Sequence, residues 1–288
     1  MIVNPPQAAV PSASRDAAAD MPEPTSSPSA CESIRMLIDA WALMIGRYPG
    51  HAIATRAGVA TAFANRPLAF FNLSTLAQPF PEADAFRAAL KQARATATSS
   101  PHPSFLALSG DWAPGDWEDL AADAGWLRAM LMTGMRAERL LPPRRGAPAL
   151  EFRLVGDTAT ALDLGTVNAL AYAMPPELFD CTGEMTLWRG ASFGVVGYVE
   201  ERPVTSAAAF LVGDVIYVAM VASAPGLHGR GYGEAAMRHA IGLAEEAVGP
   251  RRIWLHATAA GLPLYQAMGF APGPELVMLH LAPGGSWA

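Results

Sequence analysis

In residues 33–46 the apolar side chains Ile34, Leu37, Ile38, Trp41 and Ile45 recur at helical spacing. The pattern predicts a helix with Ser33 as its capping hydroxyl and Pro49-Gly50 as its end. A second, short helix is expected over 51–64, then a strand over 68–76 closed by Pro79-Phe80-Pro81. Residues 82–97 read as a helix with Phe86, Ala89, Leu90, Ala93 and Ala97 on one face. A buried strand at 105–108, a helix at 117–124 and a closing strand at 130–140 complete this half. The run Pro142-Pro143-Arg144-Arg145-Gly146-Ala147-Pro148 suits neither element and reads as a linker.

The second half opens on a strand at 150–154 and a helix at 158–173, stopped by Pro175-Pro176. Strands follow at 194–200, 206–212 and 215–221, with turns at Glu201-Arg202-Pro203 and Gly213-Asp214. A glycine-rich loop leads into a long helix, 231–248, then a strand (252–257), a short helix (261–268) and a last strand (276–281). This order, βα(α)βββαβαβ, predicts an α/β (α+β) fold with a mixed sheet flanked by helices. The halves resemble each other weakly. Met237, Ala240, Ile241, Ala244 and Val248 repeat the spacing of the helix at 82–97. In each half a buried strand follows, then a short helix ending in glycine plus an aromatic, Gly125-Trp126 or Gly269-Phe270. The reading is a degenerate duplication, with a disordered tail at 1–32, a first half at 33–141, a linker at 142–149 and a second half at 150–288.

The 288 residues are 51% hydrophobic, which excludes global disorder. Lys+Arg number 20 against 26 Asp+Glu, a net charge of −6 that argues against a general nucleic-acid binder. Cys31 and Cys181 form no metal spacing or disulfide framework, and the expected setting is cytoplasmic. No apolar run is long enough to cross a bilayer, and the N-terminus lacks a basic segment followed by an apolar one, so neither membrane nor export is expected.

The chemistry concentrates in Val221-Ala222-Ser223-Ala224-Pro225-Gly226-Leu227-His228-Gly229-Arg230-Gly231-Tyr232-Gly233, which joins a strand to a helix. Gly229, Gly231 and Gly233 let the backbone turn, so that the amides of 229–233 are free to point at one anion beside a helix N-terminus. Arg230 adds a formal charge. The spacing is not that of a Walker A loop, and a dinucleotide fingerprint would follow its strand at once. A second cluster, Ala257-Thr258-Ala259-Ala260-Gly261-Leu262-Pro263-Leu264-Tyr265-Gln266-Ala267-Met268-Gly269-Phe270, follows a buried strand.

Together these segments resemble motifs A and B of the GCN5-related N-acetyltransferases (GNAT), over about residues 150–282. His228 stands where that family commonly has Gln or Arg, and Thr258 where many members have Asn. The resemblance implies a GNAT-like mixed twisted sheet, a degenerate GNAT-like first half, and acetyl-CoA as acyl donor with no metal. It implies that the Val221, Ala222 and Ser223 backbone binds the acetyl carbonyl and pantetheine. It also implies that His228, Gly229, Arg230, Gly231, Tyr232, Gly233 and Glu234 wrap the pyrophosphate, and that Thr258 touches the pantetheine. Tyr265 occupies the position of the general acid, donating its proton to the leaving thiolate. The general base is open: Glu184, Glu200, Glu201 and Asp214 lie outside the motifs, His228 is read as a phosphate contact first, and an ordered water or an already neutral amine is an alternative.

The expected activity is acetyl transfer to a primary amine by direct attack, on a small-molecule or a protein or peptide acceptor, by a monomer or homodimer. A non-catalytic acyl-CoA-binding regulatory module and a nucleotide-binding oxidoreductase are the rivals. The first half has prolines in place of a glycine loop, so it should not hold coenzyme A, and its expected role is to support the fold or wall the acceptor cleft. Asn72 and Asn168 are its and the second half's candidate cleft residues.

Overall fold

A computed structural model of the chain describes residues 26–282. Of the expected tail, residues 1–25 lie outside the described residues, whereas 26–32 are built onto the fold. Helix α1 (Ala30–Ile45) starts earlier than its apolar pattern because Ser29, not Ser33, is the cap. The Ser29 hydroxyl accepts from the Glu32 amide, and the Glu32 carboxylate accepts from the Ser29 amide at 2.8 Å, a capping box. Glu32 also pairs with Arg136 at 2.7 Å, and Arg136 donates to the Ser26 carbonyl at 2.9 Å.

The expected helix over 51–64 is instead a hairpin, β1 (Ala52–Arg56) and β2 (Val59–Phe63). Ala57 and Gly58 both take positive φ, 49° and 76°, the geometry of a tight hairpin turn. Four alanines in the two strands gave a helical reading, and Ala-Gly lacks the Asn or Asp that announces such a turn. A 3₁₀ turn (Ala69–Phe71) precedes β3 (Asn72–Leu76), followed by α2 (Ala83–Thr98), β4 (Phe105–Ser109), α3 (Trp117–Asp123) and β5 (Trp126–Ala137). The second half contains β6 (Glu151–Leu154), α4 (Thr158–Ala171), a 3₁₀ segment (Pro176–Gly183), β7 (Ser192–Val199), β8 (Arg202–Val212) and β9 (Val215–Ser223). It closes with α5 (Tyr232–Val248), β10 (Ile253–Ala257), α6 (Leu262–Ala267) and β11 (Ala271–Leu281).

The eleven strands of the described residues join one mixed sheet in the order β1-β2-β3-β4-β11-β5-β10-β9-β8-β7-β6. Each half ends in a strand that lies in the other half's part of the sheet. β11 pairs with β4, and β5 pairs with β10, both antiparallel, while β5 and β11 run antiparallel between them. The order therefore reads as two copies of one sheet related by a pseudo-twofold axis between β5 and β11, with their last strands exchanged. This explains why β5 starts at Trp126 and β11 at Ala271, earlier than the apolar patterns predict: each must match a strand on both sides. One core cluster draws Trp41, Phe71 and Ala107 from the first half together with Leu164, Trp188 and Tyr217 from the second.

Helix α1 crosses this junction. Its buried face carries Ile34, Leu37, Trp41, Met44 and Ile45, and Ser33 sits directly over Gly134 of β5. A Cβ built on Gly134 would lie 2.8 Å from the Ser33 Cβ and closer still to its hydroxyl. Gly134→Ala is therefore expected to destabilise the fold by about 1–3 kcal/mol, as overpacking of a closed contact does. Denaturant unfolding measures it, and an unchanged midpoint would contradict the close approach of α1 to β5.

Candidate functional site

The glycine loop leaves β9 and enters α5 with Gly229 at φ 76° and Gly231 at φ 79°, left-handed positions that a side chain strains. A Cβ at either residue would project into open space rather than into protein. The first amides of a helix have no partner within it. Among the described residues the first amide of this stretch to find a backbone carbonyl is that of Ala235, which donates to Gly231 at 3.0 Å. The amides of 229–234 thus form a free concavity at the positive end of α5. His228, Gly229 and Arg230 are exposed. Glu234 is turned along the helix into an ion pair with Arg238 at 2.8 Å, and Arg238 also donates to the Leu141 carbonyl at 2.7 Å. Arg145 of the linker donates to the Gly229 carbonyl at 2.9 Å, which brings a second guanidinium beside the loop. The sequence marked Arg145 only as linker material; nothing in its spacing announced this contact.

Strand β9 carries a bulge before the loop. Ser206 faces Ala222 and Ala208 faces Ala219, so β9 has one residue more than β8 in this interval, and Met220 takes φ 54°. Three bonds lock it. The Met220 carbonyl accepts from the Ser206 hydroxyl at 3.1 Å and from the Asn168 amide at 3.3 Å, and Asn168 donates to Ser206 at 3.0 Å. Asn168 is thus a positioning residue behind the strand, and Ser206 is a partner that the sequence reading missed. On its other edge β9 pairs with β10 only at Ile216–Ile253 and Tyr217–Trp254, after which the strands diverge. The backbone of 218–223 therefore faces a cleft instead of a neighbouring strand.

The cleft has a volume of about 250 Å³. It brings together Val221, Ala222, Ser223, His228, Gly233, Thr258 and Tyr265 from the second half with Phe70 and Met132 from the first. Tyr265, on α6, is buried and stands edge-on to Phe270, with ring centres 6.0 Å apart. Gly261 makes room for its ring: a Cβ there would lie 2.7 Å from Tyr265. Burial, with a smaller contribution from Tyr172, pushes the Tyr265 phenol above its ordinary pKa, so it keeps its proton at neutral pH.

The carboxylates considered as bases lie elsewhere. Glu184 is paired with Arg66, Glu201 with Arg153 at 2.7 Å, Glu200 is in the β7–β8 turn and Asp214 in the β8–β9 turn. Asn72 does not reach the cleft. It is fully buried, donating to the carbonyls of Arg66 at 2.7 Å and Pro103 at 2.9 Å and accepting from the Asn65 amide, so it locks a turn. The cleft floor instead presents His256 of β10. Its Nδ1 accepts from the Tyr217 hydroxyl at 2.9 Å, and its Nε2 lies 3.2 Å from the Ser33 carbonyl, which requires the N–H there. Burial pushes its pKa down to about 4, against an opposing pull from the Ser33 carbonyl, so it is neutral. Ser33 and His256 are far apart in sequence, which hid this pair.

The equivalent loop of the first half, 77–82, is closed. Its amides are used by Ala77 to Gly58 at 2.8 Å and Phe80 to Trp112 at 2.6 Å, and the Phe80 side chain fills the core beside Val59 and Phe86. Strands β3 and β4 stay paired from Leu73–Phe105 to Thr75–Ala107, without the divergence of β9 and β10. Cys31 is exposed on α1, and burial pushes the Cys181 thiol up to about 12, so Cys181 is not an activated nucleophile. Among the described residues no cluster of three or more His, Cys, Asp or Glu is placed to hold a metal ion, and no helix is long and apolar enough to cross a membrane.

Residues 167–270, which span α4 to α6 and so the whole cleft of the second half, match the profile of the Acetyltransferase (GNAT) family. No curated protein matches the chain. Among solved structures, a GCN5-related N-acetyltransferase from Kribbella flavida superposes with TM-score 0.63 at 18% identity, covering 88% of this chain and 96% of that one. A GCN5-related N-acetyltransferase from Sphaerobacter thermophilus gives 0.56 at 13% identity, covering 90% and 96%. A tandem GNAT protein from the clavulanic acid biosynthesis pathway gives 0.50 at 13% identity, covering 90% and 99%. At these identities the likeness is one of fold, and it extends across both halves. Residues 167–270 thus match the GNAT family, and the chain as a whole shares a GNAT fold, including that of a tandem GNAT protein.

Proposed function

We propose that the chain transfers an acetyl group from acetyl-CoA to a primary amine, with the amine attacking the thioester directly. The observation that carries this is the open amide concavity at 229–234, which runs into the unpaired edge of β9 and faces the buried phenol of Tyr265. Bound acetyl-CoA supplies an activated carbonyl and a thiolate leaving group. The amides of 229–234 hold the pyrophosphate, and Arg230 and Arg145 add charge beside it. The backbone of Val221, Ala222 and Ser223 pairs with the pantetheine arm and polarises the carbonyl, Thr258 flanks the arm, His228 lies on the phosphate side, and Tyr265 gives its proton to the departing sulfur.

The Gly231→Val variant is expected to raise the dissociation constant for acetyl-CoA at least about tenfold, because a branched side chain enters the cradle and the left-handed backbone resists it. Calorimetric titration reads this, and an unchanged constant would remove the phosphate from this loop. The Tyr265→Phe variant is expected to lower kcat by about 10²-fold or more, with acetyl-CoA affinity nearly unchanged. Undiminished turnover would mean that Tyr265 is not the acid. If acetyl-CoA binds but no amine is acetylated, a regulatory acyl-CoA-binding module becomes the better reading.

A pH prediction follows from the groups facing the amine. These are His256, neutral with its pKa near 4, the protonated phenols Tyr217 and Tyr265, Tyr172 at the rim, and His228 on the phosphate side. Among the described residues the lining of the cleft holds no carboxylate. The proton is therefore lost by the acceptor itself, and kcat/KM should rise with pH up to the pKa of whichever amine is supplied. Two acceptors of different basicity should give two different inflections. A common inflection between pH 6 and 8, abolished by His228→Ala, would assign the base to the enzyme instead.

A further inference from the structure

The cleft does not end at β9. Beyond Met220 it continues into a chamber of about 100 Å³ between the two halves. Trp41, Met44, Phe70 and Phe71 of the first half face Phe179 and Tyr217 of the second. We infer, building on the acetyl-transfer reading, that the acceptor is a monoamine whose compact apolar body, of about four to six carbons, occupies this chamber while its nitrogen lies at the β9 bulge.

Three properties of the chamber select that chemistry. Apart from the Tyr172 hydroxyl and the open backbone edge of β9, its polar donors are already committed to the protein: the Trp41 N–H to the Phe70 carbonyl at 2.6 Å, the Tyr217 hydroxyl to His256 at 2.9 Å, the Thr182 hydroxyl to the Phe179 carbonyl at 2.8 Å and the Asn168 amide to the Leu164 carbonyl at 2.9 Å. A hydroxylated sugar or a peptide would bury groups with no such donor to meet them. Among the described residues the lining carries no carboxylate and a single imidazole, which is neutral, so a second ammonium on a polyamine would be desolvated without a counter-charge. The volume is close to that of apolar cavities that take up one small hydrocarbon, so a single short branched chain or small ring fits and a long chain does not.

The position agrees with this role. The chamber shares Phe70, Met132, Tyr172, Met220 and His256 with the cleft and lies away from the glycine loop, on the far side of the bulge. Phe70 stands at the junction, tilted against Tyr172 at 5.6 Å and Phe105 at 5.1 Å, on a turn that Trp41 holds through its indole N–H. The first half, which lacks an open cradle of its own, thus supplies one wall of the acceptor's site.

The test is acetyl-CoA turnover with ethylamine, propylamine, isobutylamine and isopentylamine, against spermidine, kanamycin and a lysine peptide. kcat/KM should rise about fourfold per added methylene across the apolar series, and the polycations and the peptide should be at least about 100-fold poorer than isopentylamine, a gap of at least about 2.8 kcal/mol at about 1.4 kcal/mol per decade. As a readout without acyl transfer, titration of the ligand-free protein with N-isopentylacetamide should show saturable binding, weakened by Phe70→Ala, and N-acetylspermidine should show none. Preferred acetylation of spermidine, kanamycin or the peptide would overturn the inference and leave acetyl transfer standing. So would butyryl- or hexanoyl-CoA outcompeting acetyl-CoA while isopentylamine fails as acceptor, since the chamber would then belong to the acyl chain of the donor. Failure of acetyl-CoA to bind at all would instead defeat the acetyl-transfer reading itself.

Discussion

The function of this chain depends on a sheet that stops being a sheet. Strands β9 and β10 are hydrogen-bonded only at residues 216–217 and 253–254, and the bulge at Met220 turns β9 away from its partner. A left-handed methionine in a strand is costly unless its surroundings hold it there. Here Asn168 and Ser206 both donate to its carbonyl, and Asn168 donates to Ser206 in turn. The unpaired edge of β9 leads into the glycine concavity at its end, and Tyr265 lines the same cleft. The first half shows the alternative outcome: β3 and β4 remain paired, and prolines and Phe80 fill the corresponding loop.

The exchange of β5 and β11 makes the two halves interdependent. Neither half's part of the sheet is complete without the other's last strand, and α1 is fastened across the junction through Ser33, Gly134 and His256. The half without an open cradle thus has structural duties. It supplies β5 beside β10, the support under His256 and the aromatic wall at Trp41 and Phe70. The linker and the residue before it also do more than connect: Arg145 reaches the Gly229 carbonyl, and Leu141 donates its amide to the Met268 carbonyl and accepts from the Arg238 guanidinium.

Most elements were legible in the sequence because their signals are local. The faces of α1, α2 and α5 follow helical spacing, and Gly229-Arg230-Gly231 announces a turn that exposes amides. What escaped depends on contacts remote in sequence or on ambiguous composition. The β1–β2 hairpin is alanine-rich and turns on Ala57-Gly58, so propensity favoured a helix. Ser33 looked like a cap but is buried against His256, while Ser29 caps the helix. Strand exchange leaves no trace in a periodicity, since a strand of either half carries the same apolar pattern wherever it inserts. Asn168 was marked as a cleft residue, yet its bond to Met220 could not be read without the bulge.

The central claim is that only the splayed half of the sheet binds the acyl donor, and calorimetric titration of the intact chain with acetyl-CoA tests it most directly. One equivalent bound per chain is the predicted result. Two equivalents would show that the closed loop of the first half opens to bind as well, and no saturable binding would show that the cradle at 229–234 serves a different ligand.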